Sequence, residues 1–403
     1  MYKLKELTIF EFDQYAEKHP LRSMYQTSTY AMYLVEQGYE YELLGLVDDN
    51  QKIYAASLIA IKKISFLSKY AYAPRGFLID YYDQNLLTTF CKLLSKRYFK
   101  KNIAYIKINP EIAIAKINDK KITLTQNKQL EESLKYNGFI KVEEDKSFTN
   151  ILPKYNAILR LKDFAKKNLV KPTRNKINKS LRNGLSIELQ ELSGIKTLYN
   201  IIKTKEKKPI NDYYNLYNAF SKNNNIDIFL VKINFEEALI NEKKKYEKEL
   251  IRNQKLNDKL MTNNNEANLK NKMASDAVLI QSEENIMKYT QYLSKQHDEY
   301  IAGAITIKYQ DRVYIVSSGY YKKYKNICPN YYLYYTIMEY YHKDYNFIDL
   351  NGITNNFEKD NKYYGLNEFK LGFKPEAFEY IGEYDYIINE GLYEYIQKKK
   401  KKK

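Results

Sequence analysis

The segment 349-DLNGITNNFEKDNKYYGLNEFKLGF-373 begins on the end of an apolar run and closes on Phe369-Lys370 and Gly372-Phe373, with Asn351-Gly352 and Gly365 breaking it between. Glycine and asparagine at such density read as a loop. The loop delivers a single lysine among apolar neighbours, because Phe369, Leu371 and Phe373 surround Lys370. An ammonium in that setting is expected to be partly desolvated, which magnifies its effect on a nearby carboxylate or oxyanion.

On either side of this segment the chain alternates strands and helices. Upstream, 330-NYYLYYTIMEYYHK-343 reads as a helix and 346-NFIDL-350 as a strand, after the strands 300-YIAGAITIKY-309 and 313-VYIVSSG-319. Earlier, 156-NAILRLK-162 reads as a strand, 173-TRNKINKSLRNG-184 as a basic helix stopped by Gly184, and 185-LSIELQEL-192 as a strand. Helices follow near 195–206 and 212–222, then the strand 226-IDIFLVKIN-234. The first part repeats this plan. The strands 41-YELLGLVDDN-50 and 52-KIYAASLIAIKK-63 join as a hairpin, then come strand and turn at 69-KYAYAPRG-76, an amphipathic helix at 86-LLTTFCKLLSKRYFKK-101 and a buried strand at 103-IAYIKINP-110. Mixed elements in this order predict an α+β (or α/β) layered fold built twice.

The second copy is interrupted from Phe235 to about Gln296 by a charge-rich stretch without Gly or Pro, divided at 262-TNNNE-266. Leu239, Tyr246, Leu250, Leu256 and Leu260 recur at helical spacing before the break, and Leu269, Met273, Ala277, Ile280 and Met287 after it. Two helices turning at the Asn run and joined along these apolar stripes, as an antiparallel coiled-coil arm, fit the pattern. A flexible charged linker is the competing reading. The expected division is 1–153, then 154–234 with 298–397, the arm at 235–297 and a lysine tail at 398–403.

The 403 residues carry 66 Lys and Arg against 49 Asp and Glu, a net charge of +17 that attracts polyanions, although Lys, Asn, Ile and Tyr abundance without Trp also fits AT-rich coding. Cys91 and Cys328 cannot form a disulfide framework, and His19, His297 and His342 are scattered, so no metal site or cofactor is expected. The longest strongly apolar run, 54-YAASLIAI-61, is far too short to span a bilayer, and the N-terminus has no apolar leader core; the chain reads as cytosolic. No two glycines stand one residue apart, which removes GxGxxG and the coenzyme A loop of acetyltransferases, and neither a P-loop nor a GxSxG elbow occurs.

What remains for anion recognition is basic helical spacing. Lys176, Lys179 and Arg182 recur every three residues behind Thr173, a candidate helix cap, and either meet phosphates or form a solvated face. The six lysines Lys398 to Lys403 are a disordered end or a polybasic contact to anionic lipid.

These residues resemble the Fem family of nonribosomal peptidyltransferases, in layout nearest the FemA branch. The stretch 26-QTSTYAMYLVEQGYEYELLGLVDDN-50 is similar to the family's opening helix and strand, and 72-YAPRGFLIDYYDQ-84 to its Y-x-x-R-G-P segment. Likewise 103-IAYIKINPEI-112 is similar to its strand ending in I-D-P, and 228-IFLVKINFEEALINEKKKYEKEL-250 to the strand entering its helical arm. The most specific match is 346-NFIDLNGITNNFEKDNKYYGLNEFKLGFKPEAFEYIGEYDYIIN-389, which follows the C-terminal signature ending in F-K-x-G-F and E-Y-x-G.

The resemblance implies two acetyltransferase-like (GNAT-like) domains with an inserted arm. It also implies transfer from aminoacyl-tRNA to an amine of a peptidoglycan precursor, lipid II or UDP-linked. Lys370 takes the catalytic place in it, with Arg75, Lys176, Lys179, Arg182, Tyr364, Phe369 and Phe373 as substrate-binding candidates. Arg75 reads equally as a turn arginine paired with Asp80. The family's aspartate is Asn109 here, its proline is Phe77, two tryptophan positions are Tyr30 and Tyr335, and an arginine is Tyr213, leaving Thr204, Lys207 and Asp212 as neighbours. Monomer and homodimer stay open, as does peripheral contact with the inner face of the plasma membrane. An acyl-CoA-dependent N-acyltransferase and a non-enzymatic RNA- or membrane-binding protein are the alternatives.

Overall fold

A computed structural model describes the chain apart from residues 66–67, 119–120, 143–150, 206–207, 295–298 and 401–403. Lys207, the end of the expected arm and the last three tail lysines therefore lie outside the described residues. The architecture is α+β, with two sheets that repeat one plan. In the first, Glu40–Val47, Ile53–Ser65 and Ser68–Ala73 run antiparallel, the helix Gln84–Phe99 follows, and Ile103–Ile108 lies parallel to Ser68–Ala73. A hairpin cannot connect parallel neighbours, so the helix is the crossover. Asp83 caps it by accepting the Leu86 N–H at 2.9 Å. In the second sheet, Ile226–Ile233, Glu299–Tyr309 and Arg312–Tyr320 run antiparallel, then the helix Pro329–Tyr341 leads to Phe347–Gly352, parallel to Arg312–Tyr320.

Strand pairing crosses residue 153 in both directions. Tyr384–Ile387, near the C-terminus, pairs with Ile103–Ile108 and Phe139–Lys141 in the first sheet. Ala113–Asn118 and Lys121–Leu124 instead extend the second sheet through Glu376–Tyr380, which pairs with Tyr155–Arg160. These long-range partners carry no local signal, and the sequence division did not anticipate them.

The arm is a hairpin of two helices, Phe235–Thr262 and Glu266–Ser294, each about 40 Å long. Asn234 starts it by accepting the Glu237 N–H at 2.9 Å. Its seam differs from the expected apolar stripes. Glu242, Ser275 and Ser282 are buried there, and Asn253 donates to Asp276 at 2.8 Å while Ser275 donates to Glu249 at 2.6 Å. Leu250, Leu269, Met273, Ile280 and Met287 are exposed instead. Small serines let the helices approach closely, so polar pairs hold the seam and most of the second stripe faces outward.

The three largest cores among the described residues hold the body together. One fills the space between the first sheet and the helix Gln84–Phe99, with Phe77, Phe90 and Tyr98. A second lies under the helix Pro329–Tyr341, where Leu333, Ile337 and Met338 are fully buried, each contributing about 1.5–3 kcal/mol. The third joins the lobes: Phe12, Tyr30 and Leu58 of the first pack with Leu198, Tyr213, Ile305 and Tyr314 of the second. Ion pairs flank this contact, Arg22 to Asp311 at 3.2 Å and Arg312 to Glu111 at 2.9 Å.

Candidate active site

A cleft of about 840 Å³ opens between the lobes. Its second-lobe wall follows from a divergence of parallel strands. Arg312–Tyr320 and Phe347–Gly352 pair only from Arg312–Phe347 to Tyr314–Asp349. Beyond that point they part, and Val316 and Ser317 on one strand and Asn351 and Gly352 on the other line the cleft. Asn351 adopts φ +67° and spans the opening by donating from its amide to the Ile315 carbonyl at 3.3 Å. From the first lobe come Tyr25, Tyr30 and Tyr33, the last two on the helix Ser28–Glu36, whose cap Thr27 accepts the Tyr30 N–H at 3.1 Å.

Lys370 completes the wall. The segment read as one loop contains a short helix, Tyr364–Leu371, and Lys370 sits in its last turn. Buried, and lining the cleft, its Nζ donates to the Gly352 carbonyl at 2.6 Å. Burial lowers its pKa to about 7, with the Asp349 carboxylate pulling the other way. Asp349 is buried as well, and burial raises its pKa against the opposing charge of Arg312. It accepts the Asn351 N–H at 2.7 Å and the Asn156 amide at 3.2 Å.

The helix that carries Lys370 is tied on its other sides. Phe369 packs edge-on against Tyr331 and Tyr334, with centroids 4.9 and 4.7 Å apart, and Phe373 stacks beside them. Asn367, which the sequence reading passed over, staples the preceding loop. Its amide donates to Thr354 Oγ1 at 2.9 Å and to the Thr354 and Asn356 carbonyls at 3.1 Å, and its carbonyl accepts the Thr354 N–H at 2.9 Å. Gly372 lets the basic helix approach, since a Cβ there would lie 2.2 Å from Thr173 Oγ1.

The other expected site residues are distributed differently. Arg75 is buried beneath the cleft, and its partner is Glu111 at 3.3 Å rather than Asp80, an ion pair without aligned hydrogen-bond geometry. It also donates to the Pro153 carbonyl at 2.9 Å and stacks on Tyr380. Asn109, in the family's aspartate position, accepts the Arg75 N–H at 2.8 Å and donates to Tyr72 at 3.1 Å, so it braces the turn. Phe369 and Phe373 belong to the core behind Lys370 and are not part of the cleft lining.

The basic helix spans Lys171–Leu181, begins two residues before Thr173 and leaves Thr173 packed in place of capping. Lys176 donates to the Tyr331 hydroxyl at 2.9 Å, and Lys179 and Arg182 are exposed; none of the three lines the cleft. Tyr364 is half-buried beside the lining residue Tyr363. Asp212 and Tyr213 do line it, Thr204 does not, and the cations present are Lys154, Lys205 and Lys208. The lysine run 203-KTKEKK-208 was a signal for the latter two. Among the described residues no cluster of three or more His, Cys, Asp or Glu is poised for a metal ion, and no helix is long and apolar enough to cross a membrane.

The geometry offers a desolvated amine beside strands that have lost their pairing, in a cleft wide enough for a large substrate. Known proteins share the fold. A crystal structure of FemX superposes with a TM-score of 0.74 at 21% identity, covering 98% of this chain and 99% of that one, which shows the fold. The chain is also similar to the Lipid II:glycine glycyltransferase of Staphylococcus aureus, 26% identical over 98% of this chain and 95% of that protein. The same enzyme from strain bovine RF122 matches equally. A model of the FemAB family matches residues 7–401. The chain therefore belongs to the FemAB family.

Proposed function

We propose that this chain is an aminoacyltransferase that moves an amino acid from aminoacyl-tRNA to an amine of a lipid-linked peptidoglycan precursor, on its stem peptide or growing cross-bridge. The observation that carries the reading is Lys370, a buried cation held on the wall of an inter-lobe cleft by the Gly352 carbonyl. Its family, and the lipid II substrate in the name of its similar relative, support the acceptor class.

The acceptor nitrogen attacks the ester carbonyl carbon of the charged tRNA. A C–N bond forms, the carbonyl electron pair moves onto oxygen, and collapse of the tetrahedral intermediate breaks the C–O bond to the ribose. The amine loses a proton and the ribose oxygen gains one. The Lys370 ammonium donates to the developing oxyanion, and that charge in turn raises the lysine pKa and keeps it protonated. Positioning by two lobes accounts for a further share of the barrier. Lys205 and Lys208 supply point charges for acceptor or tRNA phosphates.

Purified protein, lipid II and tRNA charged with each amino acid in turn test the reading. A precursor heavier by one or more aminoacyl residues is the expected result, and no mass gain with any charged tRNA overturns it.

A further inference from the structure

The far end of the first lobe's long hairpin carries a surface that the transfer reaction does not use. Strands Ile53–Ser65 and Ser68–Ala73 bring Lys63 opposite Lys69 and Lys62 opposite Tyr70. The C-terminal helix Glu390–Lys400 packs on the same region: Tyr70 stacks on Tyr105 at 5.6 Å, and Tyr105 meets Tyr393 edge-on at 5.2 Å. Ile396 is buried against Ala104 and Tyr105. This packing carries the lysine-rich end of the helix to the hairpin, where Lys399 lies 4.7 Å from the Tyr395 ring centroid and Lys399 and Ser65 both lower the Tyr395 pKa.

Three features define the surface. Lysines surround it, Lys62, Lys63, Lys69, Lys398 and Lys399, with Glu40 and Glu394 as ion-pair partners of Lys69 and Lys398. Exposed apolar groups stand among them, Ile64 at 36% and Tyr395 at 43% exposure. It also adjoins the cleft. Lys62 lies 4.5 Å from the Tyr39 ring centroid, Tyr39 bonds to Tyr70 through their hydroxyls at 3.2 Å, and the Tyr39 N–H donates at 3.0 Å to the carbonyl of Leu34, next to the lining residue Tyr33.

We propose that this lysine- and tyrosine-bearing surface docks the protein on an anionic bilayer, with the cleft opening beside the membrane. Lysines alone fit nucleic acid equally well. Interleaved Ile and Tyr side chains favour the lipid boundary, where amphipathic rings settle at headgroup depth and each nearby lysine adds attraction to anionic headgroups. The arm, which belongs to the second lobe, carries ten Lys and Arg against ten Asp and Glu over residues 235–294 and so offers no net positive charge. The inference deepens the proposal of a lipid-linked acceptor and rests on it for its purpose, although docking itself is measured without acceptor or tRNA.

Flotation of the full chain with phosphatidylcholine vesicles, with and without phosphatidylglycerol, tests it. The wild type should float only with phosphatidylglycerol. The double variant Lys398→Glu/Lys399→Glu, on the exposed helix end, should lose about tenfold or more of that partition, and Ile64→Ser a smaller share. Transfer to a detergent-solubilised acceptor should be unchanged in both. Equal partition of wild type and double variant overturns the proposal, as does a double variant that still floats but loses tRNA binding, which makes the surface an RNA site. A wild type that floats yet transfers nothing retains the docking and sinks only the catalytic reading.

Discussion

Lys370 and Gly352 close the candidate loop on itself, the lysine Nζ donating to the glycine carbonyl at 2.6 Å across 18 residues of chain. A charged donor held by a neutral carbonyl, with burial opposing its charge, is a group kept ready for an incoming anion. Lys370→Met should therefore lower the transfer rate by about 10²–10³-fold, the range for loss of an oxyanion donor. Its melting temperature should rise, since the variant no longer buries an amine. Single-turnover rates and thermal unfolding of the same preparation measure both, and an unchanged rate removes Lys370 from the chemistry.

Acidity offers an independent check. The Lys370 pKa falls from 10.5 to about 7 in the folded chain. Between those values the unfolded chain binds a proton that the folded chain does not, so stability climbs as pH rises through the window. Below about 7 this gain is absent. The proposed transfer uses the ammonium, so activity should run the opposite way, kcat/KM declining above about pH 7 in the wild type. In Lys370→Met that limb should be missing from both the rate profile and the stability profile.

Asn367 should matter although it touches no substrate. Asn367→Ala leaves the Thr354 N–H and the Thr354 carbonyl without partners, while the Asn356 carbonyl keeps the Thr354 hydroxyl, at a cost of about 2–3 kcal/mol. Denaturant titration reads that loss, and a fall in kcat at nearly constant KM would show that the loop had been positioning Lys370.

Glu111 lies between two guanidinium groups, Arg75 at 3.3 Å and Arg312 at 2.9 Å. Glu111→Gln removes the carboxylate shared by the buried Arg75 and the half-buried Arg312 and should destabilise the chain by about 3 kcal/mol. Urea unfolding measures it, and a loss below 1 kcal/mol would mean that solvent reaches the pair.

The arm separates period from face. Ser282 is fully buried in the seam, whereas Ile280 is 58% exposed. Ser282→Leu should cost about 1–3 kcal/mol by overpacking, and Ile280→Glu should stay within about 0.5 kcal/mol. Circular dichroism melts of the full chain distinguish them.

These contrasts show what the sequence could reveal. Helical spacing found both arm helices, because 3.6-residue periodicity survives in any amphipathic segment. On the second helix it points to the outward face, because the seam is built from Ser275, Ser282, Glu242 and Asn253, which hydropathy counts as surface. The signature around Lys370 is legible as a motif, but motif position does not separate a substrate contact from a core anchor, and Phe369 and Phe373 lie in the core outside the cleft lining. Lys205 and Lys208 stand in a visible lysine run, but they and Asn351 reach the cleft only through tertiary packing. The pairing of Tyr384–Ile387 with Ile103–Ile108 likewise joins segments far apart in the chain.

That pairing bears on how the molecule is made. The ribosome makes Tyr384–Ile387 long after Phe139–Lys141, yet the strand lies inside the first sheet, between Ile103–Ile108 and Phe139–Lys141. The first lobe thus cannot reach its final form when its own segments have been made. It must wait with an open sheet edge until that late strand emerges, and a chain terminated before Tyr384 should leave the first sheet unfinished.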